Sequence, residues 1–125
     1  MRFLLDTHAI LWYAQGSAEL SETARQLMER EECFYCAASL WEIALKQKLG
    51  KLDASLSVVE LDEFCRSAGF IPFAIQPPHI EWTKSLDFIH RDPFDRLLIA
   101  VAQTEGFTII TRDLAIPKYA VKTTW

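Results

Sequence analysis

Four short apolar runs recur along the chain: RFLL at 2–5, CFYCAA at 33–38, FIPFAI at 70–75 and FTIIT at 107–111. They are apolar on both faces rather than alternating with polar residues. A strand buried on both faces belongs in a sheet covered by helices on either side, and such sheets are mainly parallel. The intervening segments supply the helices. SETARQLMERE opens on Ser21 as a cap. SLWEIALKQKLG places Ser39 as N-cap, Glu42 three residues on and Gly50 as the stop, which is a capping-box pattern. LSVVELDEFCRSAG predicts a helix ending at Gly69, and PPHIEWTKSLDFIH a helix starting at its prolines. DPFDRLLIAVAQTEG has Asp92 as cap, Pro93 at the first helical position and Gly106 as its end. YAVKT is a weak closing strand. The expected fold class is α/β, a sandwich built on a mainly parallel sheet.

A chain of 125 residues, half of them hydrophobic, fits one domain spanning 1–125. Its net charge of −4 comes without a basic tail or stripe, so any nucleic acid would have to be held by a local basic rim. Asp6 and His8 interrupt the N-terminal apolar stretch, which argues against a signal peptide, and no run is long enough to span a bilayer. Three cysteines without a secretory signal predict a cytoplasmic protein with reduced thiols. Cys33 and Cys36 form a C-x-x-C match inside a strand. Residues three apart there face opposite ways, so two core thiols are expected rather than a redox pair.

The acids carry the functional signal. Asp6 and Asp113 directly follow apolar strands, and Glu42 falls just after another. In an open parallel sheet, the strands' carboxyl ends share one edge, and ligands bind outside it. Asp95, in the first turn of its helix, joins them if that helix starts at the same edge. Each acid alone has a local explanation: Glu42 completes the Ser39 box, Asp95 favours the helix dipole and Asp113 starts a turn. Capping does not explain convergence of all four. Clustered carboxylates repel, and a hard divalent cation with oxygen ligands compensates them. Such a site activates water and stabilises charge on a phosphodiester. The chain has no His/Cys zinc spacing, no glycine-rich phosphate loop and no G-x-S-x-G elbow.

LLDTHAILWY, SLWEIALKQKLGKL, DPFDRLLIAVA and IITRD, in this order, resemble the PIN-domain family, and more narrowly the VapC-type toxins of bacterial toxin–antitoxin pairs. The resemblance implies a three-layer α/β/α sandwich and a metal-dependent ribonuclease using Mg²⁺ or Mn²⁺. It places the catalytic and metal-holding roles on Asp6, Glu42, Asp95 and Asp113, with Thr7 and Thr111 as supporting polar residues. It further implies an RNA substrate, cuts that leave 5′-phosphate and 3′-hydroxyl ends, a homodimer, and a cognate antitoxin that inserts a segment into the acidic groove. Lys46, Arg96 and Arg112 are candidate ligands for RNA phosphates, with solvated or paired charge as the alternative. His8 and His90 are candidate general bases, although an acidic metal site does not require one. Trp12, Trp41 and Trp82 could stack bases, while Trp12 and Trp41 are expected in the core or a subunit interface. A rival reading is a non-catalytic module whose acidic groove docks a basic peptide. A second rival, a haloacid-dehalogenase-type phosphatase, would need D-x-D where LLDTHA has His8.

Overall fold

The computed structural model describes residues 1–125. The strands are β1 (Arg2–Leu5), β2 (Glu32–Cys36), β3 (Ile71–Phe73), β4 (Thr108–Ile110) and β5 (Thr123–Thr124). The helices are α1 (Thr7–Gln15), α2 (Glu22–Arg30), α3 (Ala37–Lys48), α4 (Val58–Ser67), α5 (Pro77–Trp82) and α6 (Pro93–Glu105). The strands form one sheet in the order β3-β2-β1-β4-β5, and every neighbouring pair is parallel. Leu4 pairs with Phe34 on one side and Ile109 on the other. From β1 the chain therefore winds outward to β2 and β3, then returns to add β4 and β5 on the opposite flank. The carboxyl ends of β1 and β4 border the point where the winding reverses, the place where such sheets open a crevice.

Apolar side chains on both faces of the strands hold the three layers together. Phe3, Leu5, Cys33 and Tyr35 pack against Ile10, Met28, Ile43 and Leu61 of α1 to α4. Leu4, Cys36 and Ile109 pack on the other face against Leu98, Ile99 and Val101 of α6, with Ile116 and Tyr119. Cys33 and Cys36 thus lie in opposite layers, free and buried. Burial pushes each of these thiols up to about 12, well away from thiolate chemistry.

Three local expectations need correction. Ser39 is not an N-cap: β2 runs straight into α3 at Cys36, so Ser39 lies inside the helix and Glu42 in its second turn. The real box is Ser57 with Glu60, at the start of α4. The stretch after Pro77 is helical only to Trp82, then forms a short 3-10 turn at Thr83–Ser85 and irregular chain up to Asp92. YAVKT contributes only Thr123 to the short β5. Helix α1 is not announced by the sequence, because Asp6 ends a strand and is at once the cap of the next helix.

Candidate active site

Asp6 leaves β1 in extended backbone, and its N–H donates to the Ile110 carbonyl at 3.2 Å, continuing the β1–β4 ladder. Its carboxylate takes one hydrogen bond from the Thr7 N–H and one from the Thr111 hydroxyl, each at 2.6 Å. The Thr7 hydroxyl donates to Glu42 Oε1 at 2.6 Å, and Lys46 Nζ donates to Glu42 Oε2 at 2.7 Å. Asp92 caps α6 by accepting the Asp95 N–H at 3.0 Å. That leaves the Asp95 carboxylate free to turn toward the other acids, with Oδ2 3.1 Å from His90 Nε2. Asp113 donates its N–H to the Thr111 hydroxyl at 3.0 Å and accepts the Ala115 N–H at 2.6 Å. Asp6, Glu42 and Asp95 are buried, and Asp113 is exposed at the mouth.

These acids feel one another. Burial raises Asp95 to about 8, and the negative charges of Asp6, Asp92, Asp113 and Glu42 push the same way. Asp6 is also raised, first by burial, against the lowering effects of the Thr111 hydroxyl, His8 and the Thr7 amide. Burial disfavours the Lys46 charge, yet pairing with Glu42, with Asp92 and Asp95 near, holds its ammonium above the usual range. Excess negative charge gathered in a partly buried crevice is the setting a cation relieves. The donors are carboxylate and hydroxyl oxygens, the chemistry of Mg²⁺ or Mn²⁺ rather than of a soft metal. No three His, Cys, Asp or Glu side chains close into a ready ligand cage. A hydrated ion held by few carboxylates at a time, the arrangement Mg²⁺ prefers, needs no such cage.

Asp6, His8, Trp12, Arg112 and Asp113 line a pocket at this mouth. Arg112 lies over the Trp12 ring, 4.3 Å from its centroid, and pairs with Glu19. Lys46 is the ion-pair partner of Glu42, as Arg112 is of Glu19. Arg96 is engaged as well. Its guanidinium donates to the carbonyls of Asp87 at 2.9 Å, His90 at 3.5 Å, Thr83 at 3.4 Å and Leu86 at 3.5 Å, and to the Tyr119 hydroxyl at 3.1 Å. It ties the irregular segment after α5 to α6. Trp41 is exposed rather than in the core and packs edge-on against Phe94, while Trp12 is half-buried beside His8 and Trp125. Trp82 is exposed and donates its indole N–H to Gln103 at 2.8 Å. Two features were missed in the sequence. The buried Ser39 hydroxyl, one turn before Glu42, has no partner. Tyr119 touches both His90 and Arg96, a contact between segments too far apart in sequence for spacing to reveal.

Residues 3–122 match the sequence profile described as PIN domain. Ribonuclease VapC22 of Mycobacterium tuberculosis is 28% identical over 115 residues, which is 88% of this chain and 85% of that protein. VapBC2 from Rickettsia felis, solved bound to a DNA fragment from its promoter, superposes with a TM-score of 0.72 at 14% identity, covering 99% of this chain and 98% of the other. VapBC-1 from nontypeable Haemophilus influenzae gives 0.66 at 12% identity, covering 99% and 97%.

Proposed function

This chain belongs to the PIN domain family, and on that premise we propose that it is a VapC-like, metal-dependent ribonuclease that hydrolyses RNA phosphodiester bonds. The observation that carries the reading is the gathering of Asp6, Glu42, Asp95 and Asp113 at the winding-reversal point of the sheet, where Asp95 experiences the charge of the other three. These four acids would hold Mg²⁺ or Mn²⁺. When bound, such an ion neutralises the carboxylates, lowers the pKa of water and stabilises charge on the scissile phosphate.

The chain's own residues do the positioning. Thr111 and the Thr7 amide orient Asp6, while the Thr7 hydroxyl links Asp6's helix to Glu42. Lys46 balances Glu42. Arg112 and Trp12 at the mouth offer a cation and a ring to an incoming RNA strand. An antitoxin is the natural protein partner, since the relatives solved as VapBC complexes share this fold. A homodimer goes with the same reading. The exposed Trp41 and Leu45 of α3 and Leu49 just past its end, four residues apart, would offer an apolar stripe for such a contact. No helix is long and apolar enough to cross a membrane, and a cytoplasmic location completes the proposal.

Purified protein without antitoxin, given end-labelled RNA, should cut it with Mg²⁺ or Mn²⁺ and stop with EDTA. Binding of RNA or of a basic peptide with no metal-dependent cleavage would favour the non-catalytic docking module instead.

A further inference from the structure

His90, Tyr119 and Arg96 meet behind Asp95. His90 Nδ1 lies 2.6 Å from the Tyr119 hydroxyl, and His90 Nε2 lies 3.1 Å from Asp95 Oδ2. The Tyr119 oxygen also receives Arg96 Nη1 at 3.1 Å and the His90 backbone N–H at 3.2 Å. Counting donors fixes the direction of every bond. Those two N–H groups occupy the acceptor capacity of the phenol oxygen. Its own O–H then has one place to go, the His90 Nδ1. The imidazole proton accordingly sits on Nε2 and is donated to Asp95. The reverse polarity would crowd a third N–H onto the Tyr119 oxygen and leave its hydroxyl proton without an acceptor.

We propose that Arg96, Tyr119 and His90 form a one-way hydrogen-bond relay that holds the Asp95 carboxylate in the orientation needed to ligate the cation, making His90 and Tyr119 positioning residues of the ribonuclease. This proposal rests on the cation-site reading given above. The relay is well anchored. Tyr119 is buried in the layer beneath α6, and the Arg96 guanidinium is fixed by four backbone carbonyls. His90 itself is half-buried in the irregular segment that leads into α6. The arrangement is the carboxylate counterpart of a familiar device, in which a group behind a metal ligand sets its orientation and donor strength. It also assigns a use to Arg96 other than contact with RNA. The fork that braces the 83–90 segment supplies the first N–H of the chain. His8, by contrast, lines the pocket mouth with no such chain behind it.

Two readouts test this on the intact protein. The first is the imidazole ¹⁵N spectrum at fixed pH without metal. The wild type should show His90 protonated on Nε2 and bare on Nδ1, and Tyr119→Phe should shift the Nδ1 resonance by removing its donor. The second is Mn²⁺ affinity by electron paramagnetic resonance titration, with far-UV circular dichroism as a check on folding. Tyr119→Phe and His90→Ala should each weaken Mn²⁺ binding about tenfold or more, and His90→Gln, which can still offer an N–H to Asp95, should recover part of the loss. Asp95→Asn run in parallel separates the two levels of inference. If Asp95→Asn weakens binding while Tyr119→Phe does not, the relay is overturned and the cation site stands. If Asp95→Asn leaves affinity unchanged, both fall. A His90 spectrum showing the proton on Nδ1 also overturns the relay.

Discussion

Asp95 lies in the first turn of α6 and, in the function proposed above, also belongs to the cation site. Its backbone N–H is satisfied by Asp92, so its side chain is not needed as a cap and can be spent among the acids. Its folded-state pKa is raised to about 8, above the ordinary carboxylate value of 3.8. The native state therefore holds the proton more tightly than the unfolded chain. That contribution to stability is fully present below the ordinary carboxylate range and is lost as pH rises from about 4 to about 8. In EDTA the melting temperature should fall across this window, and Asp95→Asn should flatten the fall, giving a variant more stable than wild type at pH 8. Saturating Mg²⁺ should restore the wild type by mass action, about 2.7 kcal/mol at a hundredfold excess over Kd, with a smaller gain in the variant. Calorimetry at pH 5 and pH 8 reads both effects. Asp6, Asp95 and Asp113 were legible as site candidates because charged residues at the ends of apolar strands or in a helix's first turn are visible in one dimension. The partners of Lys46 and Arg96 were not legible, because sequence shows a charge without showing whether its hydrogen bonds are already committed.

Helices α3 and α4 carry the same S-x-x-E spacing with opposite outcomes. Ser57 and Glu60 exchange hydrogen bonds with each other's backbone at 3.1 and 3.2 Å, while Ser39 is buried inside α3 with an unpartnered hydroxyl. The spacing could not tell them apart, because the difference lies in what precedes each serine. β2 passes directly into α3, so the helix has already begun two residues before Ser39. Ser57→Ala should then cost about 1 kcal/mol of folding free energy, whereas Ser39→Ala removes an unpaired buried polar group and should be neutral or stabilising. Urea denaturation ranks the two, and a larger loss at Ser39 would show that its hydroxyl has a partner in solution. Arg96 gives a second element-level expectation. Arg96→Lys keeps the charge but loses the planar fork that reaches several carbonyls at once. Amide exchange should quicken across residues 83–90 while β4 stays protected. Unchanged exchange in that segment would mean the brace is dispensable.

At the scale of the whole molecule, the runs RFLL, CFYCAA, FIPFAI and FTIIT were enough to foresee a parallel sheet between helical layers, because burial on both faces leaves a composition signature. The strand order was not written there. It emerges from which helix packs on which face, and it places β1 beside β4, so that Asp6 and the Thr111–Asp113 turn become neighbours across more than a hundred residues of chain. Helix α6 starts at the same edge and adds Asp95, and α3 adds Glu42 through Thr7. The most direct test is a single RNA-cleavage assay at limiting Mg²⁺ on Asp6→Asn, Glu42→Gln, Asp95→Asn and Asp113→Asn, each confirmed folded by circular dichroism. Cleavage should fall by at least a hundredfold in the variants of the three buried acids, with Asp113→Asn also impaired. Wild-type rates in folded Asp6→Asn and Asp95→Asn proteins would contradict the assignment of this acidic crevice as the catalytic centre.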